Sequence, residues 1–106
     1  MGEGLALARR LSLSDEWTLD VILAGSAASP VVTAVAPRMV AGAHDPRFAL
    51  RLAAKDPSYA VAAGADTAPP LGTTAADLFA RAVAHGRGDL DISAVVEEYV
   101  KPVTRP

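Results

Sequence analysis

The sequence predicts an all-α protein, a compact bundle of about six short helices. Alanine and leucine dominate, apolar residues recur at spacings of three and four, and β-branched residues rarely alternate with polar ones. Residues that start and stop helices then cut the chain into short pieces. With 106 residues and 51% hydrophobic content, the chain is expected to form one domain around a single modest core.

The first helix is expected over residues 2–11, with Leu7 and Leu11 one turn apart and Arg9 and Arg10 near the end, where the helix dipole favours cations. Ser14 reads as an N-cap, with Asp15 and Glu16 in the first turn after it. The helix it opens carries Trp17, Val21 and Ala24 on one face and stops at Gly25. Ser29 and Pro30 mark the next start, a cap followed by proline at the first helical position. Pro37 lacks an amide donor and clashes with the preceding turn, so a kink or restart is expected there. A short piece over 38–40 then ends at Gly42. Residues 43–46 read as a turn. Helical pattern resumes at Phe48 and runs to Ala63, interrupted by Pro57. Asp56 can cap and Pro57 can occupy the position after it, so a kink or break is expected at Lys55–Asp56. Residues 64–70 connect to a helix capped by Thr73 or Thr74, carrying Leu78, Phe79 and Val83 and ending at Gly86. Asp91 is the expected cap of a last helix that runs through Val100 to Pro102.

Several functions are excluded by composition. The formal charge is −2 and no Lys/Arg block occurs, so charge-driven nucleic-acid binding has no basis. The chain has no cysteine, which removes disulfides and thiolate metal sites. His44 and His85 lie far apart beside turn residues, so they read as loop histidines and no metal site is expected. The opening Met1-Gly2-Glu3-Gly4 lacks the basic and apolar regions of a signal peptide. The longest uncharged run, residues 21–37, is broken by Gly25, Ser26, Ser29 and Pro30 and falls short of the ~20 apolar residues of a membrane span. A soluble, cytoplasmic protein with no membrane partner is expected.

The most informative segment is residues 48–56, Phe-Ala-Leu-Arg-Leu-Ala-Ala-Lys-Asp. On a helix, residues seven apart return to one face after two turns, which would align Phe48 with Lys55 and set Asp56 beside them. An aromatic to shape a pocket, a cation for a phosphate-bearing ligand and a neighbouring carboxylate could then share one ligand. The plainer alternative is a solvated Lys-Asp pair next to a core phenylalanine.

Two segments in order carry a family resemblance: Phe48…Lys55-Asp56, and Gly86-Arg87-Gly88-Asp89-Leu90-Asp91-Ile92-Ser93-Ala94. Leu5-Ala-Leu-Ala-Arg-Arg-Leu11, Gly25-Ser-Ala-Ala-Ser29 and Pro37-Arg-Met39 support it. The chain resembles the C-terminal helical domain of the β-hydroxyacid dehydrogenases, the 3-hydroxyisobutyrate dehydrogenase-like family. That family includes tartronate semialdehyde and glyoxylate/succinic semialdehyde reductases and shares a fold similar to the 6-phosphogluconate dehydrogenase C-terminal domain. The resemblance implies a partner N-terminal Rossmann domain holding NAD or NADP, and a homodimer built through the helical domain. It implies that Lys55 reaches the cofactor and that Phe48 and Asp56 help form the substrate pocket. An ammonium on a flexible stem suits such a contact, because it needs no bidentate geometry. Asp56 could equally do no more than cap a helix.

The departures from the family pattern matter as well. The family's catalytic lysine lies in a Gly-x-x-x-Lys-x-x-Asn motif, but Lys55 and Lys101 are the only lysines here and neither matches it. No Gly-x-Gly-x-x-Gly occurs, so no dinucleotide-binding βαβ unit is expected. Pro57 stands where the family usually has a large aliphatic residue. The expectation is a helical substrate and dimerisation domain over residues 1–102 with a tail at 103–106, inert alone, as an excised or truncated part of an NAD(P)-dependent 3-hydroxyacid dehydrogenase. The alternative is a free-standing helical interaction module that has lost the chemistry.

Overall fold

The structure, a computed structural model, describes residues 1–64, 66–67 and 69–99. It is all-helical: α1 Gly2–Arg10, α2 Asp15–Ala24, α3 Pro30–Ala41, α4 Leu50–Ala63 and α5 Pro70–Ala82, then a π-type turn over Val83–Arg87 and a 3-10 helix over Ile92–Glu98. Among the described residues there is no strand, only an isolated antiparallel bridge between Ala49 and Asp91.

The bundle is flattened, 41 × 41 × 26 Å along its principal axes. The 3-10 helix lies at its centre and touches α1, α3, α4 and α5, while α4 packs along α5. Accordingly the core is built from Leu5, Val35, Met39, Leu50 and Ala82 around Ala94, Val95 and Val96 of that helix, with Ile22, Val40, Leu78, Phe79 and Ile92 at its margin.

Several local signals work as the sequence implies. Ser14 Oγ accepts from Trp17 N at 3.1 Å and Ser29 Oγ from Val32 N at 3.2 Å, so both act as N-caps. Gly42 ends α3 in the left-handed region at φ 65°, where its amide closes onto Arg38 and Met39 carbonyls. Gly86, at φ 85°, turns the chain after α5.

Other expectations are corrected. Pro37 does not restart a helix: α3 is one element, held by buried Val35, Ala36 and Met39 on both sides of the proline. Nor is there a break at Lys55–Asp56, since α4 continues through Pro57, which is half-buried. Asp56 is therefore interior to a helix and caps nothing. Because α4 begins only at Leu50, Phe48 lies in the bend before it, and no helical stripe joins Phe48 to Lys55. The start of α5 is Pro70, not Thr73 or Thr74; the Thr74 hydroxyl donates back to Pro70 O at 3.1 Å instead. The last helix is 3-10 rather than α, and its expected continuation to Val100 lies outside the described residues, as do the boundary at 102 and the tail. The α2 face bearing Trp17, Val21 and Ala24 is exposed, while Thr18 points inward.

Candidate functional site

Residues 43–49 have no regular structure, yet they are fixed along their length to the segment 88–92. Asp91 N donates to His44 O at 2.9 Å, Ile92 N to Phe48 O at 2.8 Å, Leu50 N to Leu90 O at 2.8 Å and Arg51 N to Gly88 O at 2.9 Å. The last two bonds explain how α4 starts without a side-chain cap: carbonyls of the opposing segment satisfy its first amides. This strap sets both Phe48 and the entry of α4.

At its centre is Asp91, whose side chain is fully buried. Oδ1 accepts from Arg47 N at 3.0 Å and Phe48 N at 3.1 Å. Oδ2 accepts from Arg38 Nε at 3.1 Å, Arg38 Nη2 at 3.0 Å and Ser93 N at 3.1 Å. Burial alone would push the carboxyl up. The amides of Phe48 and Arg47, with Ser93, outweigh it and hold Asp91 well below the usual carboxylate range. The cap expected from sequence is real, because Ser93 N is one of these donors, but it is the smaller part of what the residue does.

His44 closes the other side of the strap. Its Nδ1 lies 2.8 Å from Ser93 Oγ and its Nε2 3.0 Å from Glu97 Oε2. Arg87 Nη1 and His85 Nδ1 meet the buried Glu98 carboxylate at 2.7 and 3.0 Å, fastening the π-type turn to the 3-10 helix. Neither histidine is thus a plain loop residue. Among the described residues no group of three or more His, Cys, Asp or Glu could hold a metal ion.

Of the sequence-predicted site residues, Lys55 and Asp56 lie on the exposed side of α4, away from the buried Leu50 and Ala53. Among the described residues Lys55 makes no ion pair. Arg51, one turn earlier on the same face, pairs with Asp89 at 3.0 Å in solvent. Phe48 is 48% exposed, so it is not the core aromatic of the plainer alternative. Sequence reading missed Arg38, His44, Ser93 and Glu97. Only long-range folding joins them, with Arg38 and Asp91 53 residues apart.

Lys55, exposed and without an ion pair among the described residues, and Phe48, exposed on the strap, are of the residue types that can contact an anionic ligand. The matching family model spans residues 1–99 and is described as the NAD-binding domain of NADP-dependent 3-hydroxyisobutyrate dehydrogenase, and the chain belongs to that family. It is 36% identical over 97 residues to glyoxylate/succinic semialdehyde reductase 1 of Arabidopsis thaliana, covering 90% of this chain and 34% of the reductase. It is 30% identical over 102 residues to the cytokine-like nuclear factor N-PAC of Homo sapiens, covering 94% of this chain and 18% of that protein. The crystal structure of a 3-hydroxyisobutyrate dehydrogenase from Salmonella typhimurium superposes with a TM-score of 0.81 at 32% identity, over 91% of this chain and 34% of the other. The chain thus spans about a third, or less, of the length of these relatives. Among the described residues no helix is long and apolar enough to cross a membrane.

No glycine-rich phosphate turn of the Gly-x-Gly-x-x-Gly kind occurs in the sequence, and among the described residues Lys55 is an exposed cation without an ion pair.

Proposed function

We infer that this chain is the helical part of an NAD(P)-dependent 3-hydroxyacid dehydrogenase, acting in the cytoplasm with an N-terminal Rossmann domain and inert alone. The family match across residues 1–99 carries this reading, since it spans almost the whole chain and only a third of the dehydrogenase and reductase relatives. The dinucleotide supplies the hydride chemistry when bound. Lys55 contributes charge to its binding, and Phe48 and Asp56 shape the pocket for a small hydroxyacid or semialdehyde. Support for Lys55 is its exposure, with no ion pair among the described residues, on a helix whose entry is fixed by Leu90 and Gly88 carbonyls.

The test is Lys55→Ala in a protein that joins this chain to its Rossmann domain. Loss of one charge-assisted contact of roughly 1.5–3 kcal/mol raises the KM for the dinucleotide by about one to two decades, with a smaller change in kcat. An unchanged cofactor KM leaves Lys55 as a solvated surface charge and overturns its role.

The same reading includes a homodimer. Leu7, Leu11, Leu13, Trp17, Val21, Val31 and Leu71 are all exposed, and apolar surface of this kind is commonly covered by association. A dimer mass by light scattering at concentrations on the order of tens of micromolar is expected; a monomer across that range refutes it.

One observation favours a second reading, a helical interaction module without chemistry: the N-PAC relatives carry the name of a nuclear factor and not of an oxidoreductase. A Rossmann-coding frame joined to this one supports the enzyme, and its absence supports the module.

A further inference from the structure

Two charges on α4 run against the rules of a lone helix. Arg51 is in the first turn, where the dipole disfavours a cation, and no acid accompanies it there. Lys55 follows four residues on, so two like charges with Cβ atoms about 5–6 Å apart share one exposed face. The helical neighbours of Lys55, namely Arg51, Leu52, Ser58 and Tyr59, include no acid, and Asp56 is turned about 100° round the helix. Local costs of this kind are expected where a site is built for a ligand. The counter-charge for Arg51 comes from outside the helix. Asp89 Oδ1 accepts from Arg51 Nε at 3.0 Å, through a single bond, with the side chains 55% and 91% exposed. It is the most exposed ion pair among the described residues; Arg9, Arg38 and Arg87 keep less than half of either side chain in water in their pairs with Asp15, Asp91 and Glu98. No other partner of the Arg51 guanidinium occurs among the described residues, so Nη1 and Nη2 are open to a second anion. The stem is nonetheless fixed: Arg51 N donates to Gly88 O at 2.9 Å, and a Cβ at Gly88 would lie 3.5 Å from Arg51 Cβ.

We propose that Arg51 and Lys55 together form a two-cation seat for a phosphate of the dinucleotide, with Asp89 occupying the Arg51 side until phosphate displaces it. The seat stands on geometry and charge, and only its assignment to the dinucleotide rests on the reading of Lys55 given above. A guanidinium suits the exchange. Phosphate can take two parallel N–H bonds from Arg51, where Asp89 takes one. Lys55, which Asp89 does not pair, supplies a second charge one turn away that a phosphate-bearing ligand reaches and a single carboxylate does not. Asp89 thus competes well with small anions and poorly with a diphosphate. The ligand meets side chains here, because the amides of Leu50 and Arg51 are already taken by the carbonyls of Leu90 and Gly88.

The first test titrates inorganic pyrophosphate into the isotopically labelled 106-residue chain at constant ionic strength, followed by nuclear magnetic resonance. A Kd on the order of millimolar is expected, with Arg51 Nε, the Lys55 ammonium and the Asp89 carboxyl carbon shifting on one curve. Acetate at the same ionic strength should leave all three in place. Arg51→Gln and Lys55→Gln should each weaken binding about ten-fold. Asp89→Asn should instead tighten it about two- to five-fold, because a competing exposed pair is gone. Were Arg51 and Asp89 only holding each other, both changes would act alike. All three side chains are exposed, so the variants are expected to fold. Equal shifts with acetate, or weaker binding in Asp89→Asn, overturn the seat. The second test measures the KM for the dinucleotide in the protein joined to its Rossmann domain, where Arg51→Gln should raise it and Asp89→Asn lower it by the same factors. A dinucleotide KM that responds to Lys55 and not to Arg51 overturns the proposal and keeps the reading of Lys55. A sound pyrophosphate seat with that KM unmoved by either residue refutes the cofactor reading and leaves the seat standing.

Discussion

Asp91→Asn is the most informative single change, because it keeps the size of the side chain and removes only charge and one acceptor. The carboxylate takes five hydrogen bonds, two on Oδ1 and three on Oδ2. An amide has one oxygen, so either orientation turns an NH2 group on donors. With the oxygen kept toward Arg38 and Ser93, the amides of Arg47 and Phe48 lose their acceptor, and Arg38 loses its counter-charge. Breaking a buried pair in this way costs about 3–5 kcal/mol, a large part of the roughly 5–15 kcal/mol that holds a domain folded. Thermal and urea unfolding followed by circular dichroism should show it as a fall in Tm of at least about 12 °C. Asp15→Asn is the matched control. Asp15 pairs with Arg9 at 2.9 Å, but both side chains are over a third exposed, and such pairs are worth under about 1 kcal/mol. The sign of the pH dependence follows from the same carboxyl. Its value in the folded state is depressed, so its stabilisation is fully present above the unfolded value of about 4 and is lost as pH falls below that. Asp91→Asn should therefore flatten the acid limb of the stability curve. A cost as small as that of Asp15→Asn, or an unchanged acid limb, would refute the clamp.

Leu50→Ala should cost about 2–5 kcal/mol in urea unfolding, because Leu50 is fully buried at the first turn of α4 and the cavity opens at the centre of the core; a loss under about 1 kcal/mol would mean the core collapses around it. Ser14→Ala removes the acceptor of Trp17 N and should cost about 1 kcal/mol, measured the same way, with no loss indicating that water replaces the cap.

The helices were legible because their signals are local. Ser14, Ser29 and Gly42 act where the sequence places them, since a cap needs only neighbours within one turn. The two internal prolines misled for the complementary reason. Pro37 and Pro57 each remove one helical hydrogen bond and cost about 3 kcal/mol locally, but α3 is anchored by buried side chains on both sides of its proline and α4 is packed along α5. Tertiary burial outweighs the local rule. The error at Phe48 has another origin. Helical spacing through 48–56 is present in the pattern, yet the chain before Leu50 bonds to residues 88–92 instead of to itself. No spacing rule reports a partner some 40 residues away, and Asp91 consequently read as a cap alone. Lys55 and Asp56 are exposed on α4, a placement shared by the ligand-contact and solvated-face readings of the sequence.

Residues 45–48 are all exposed, and no apolar side chain among them is buried in the core. Segments of this kind open easily, because few contacts resist them. Order in the strap must come from its backbone hydrogen bonds, and the two amides nearest Phe48 both depend on one buried carboxylate. Lys55 is held differently. It lies five residues inside α4, whose buried face includes Leu50 and Ala53. Loosening Asp91 therefore displaces Phe48 while leaving Lys55 on its helix, provided the domain stays folded. In the proposed enzyme, substrate and cofactor contacts are thus separable. Changes at Arg38 and Asp91 act on the strap that carries Phe48, whereas Lys55 moves only when α4 itself does.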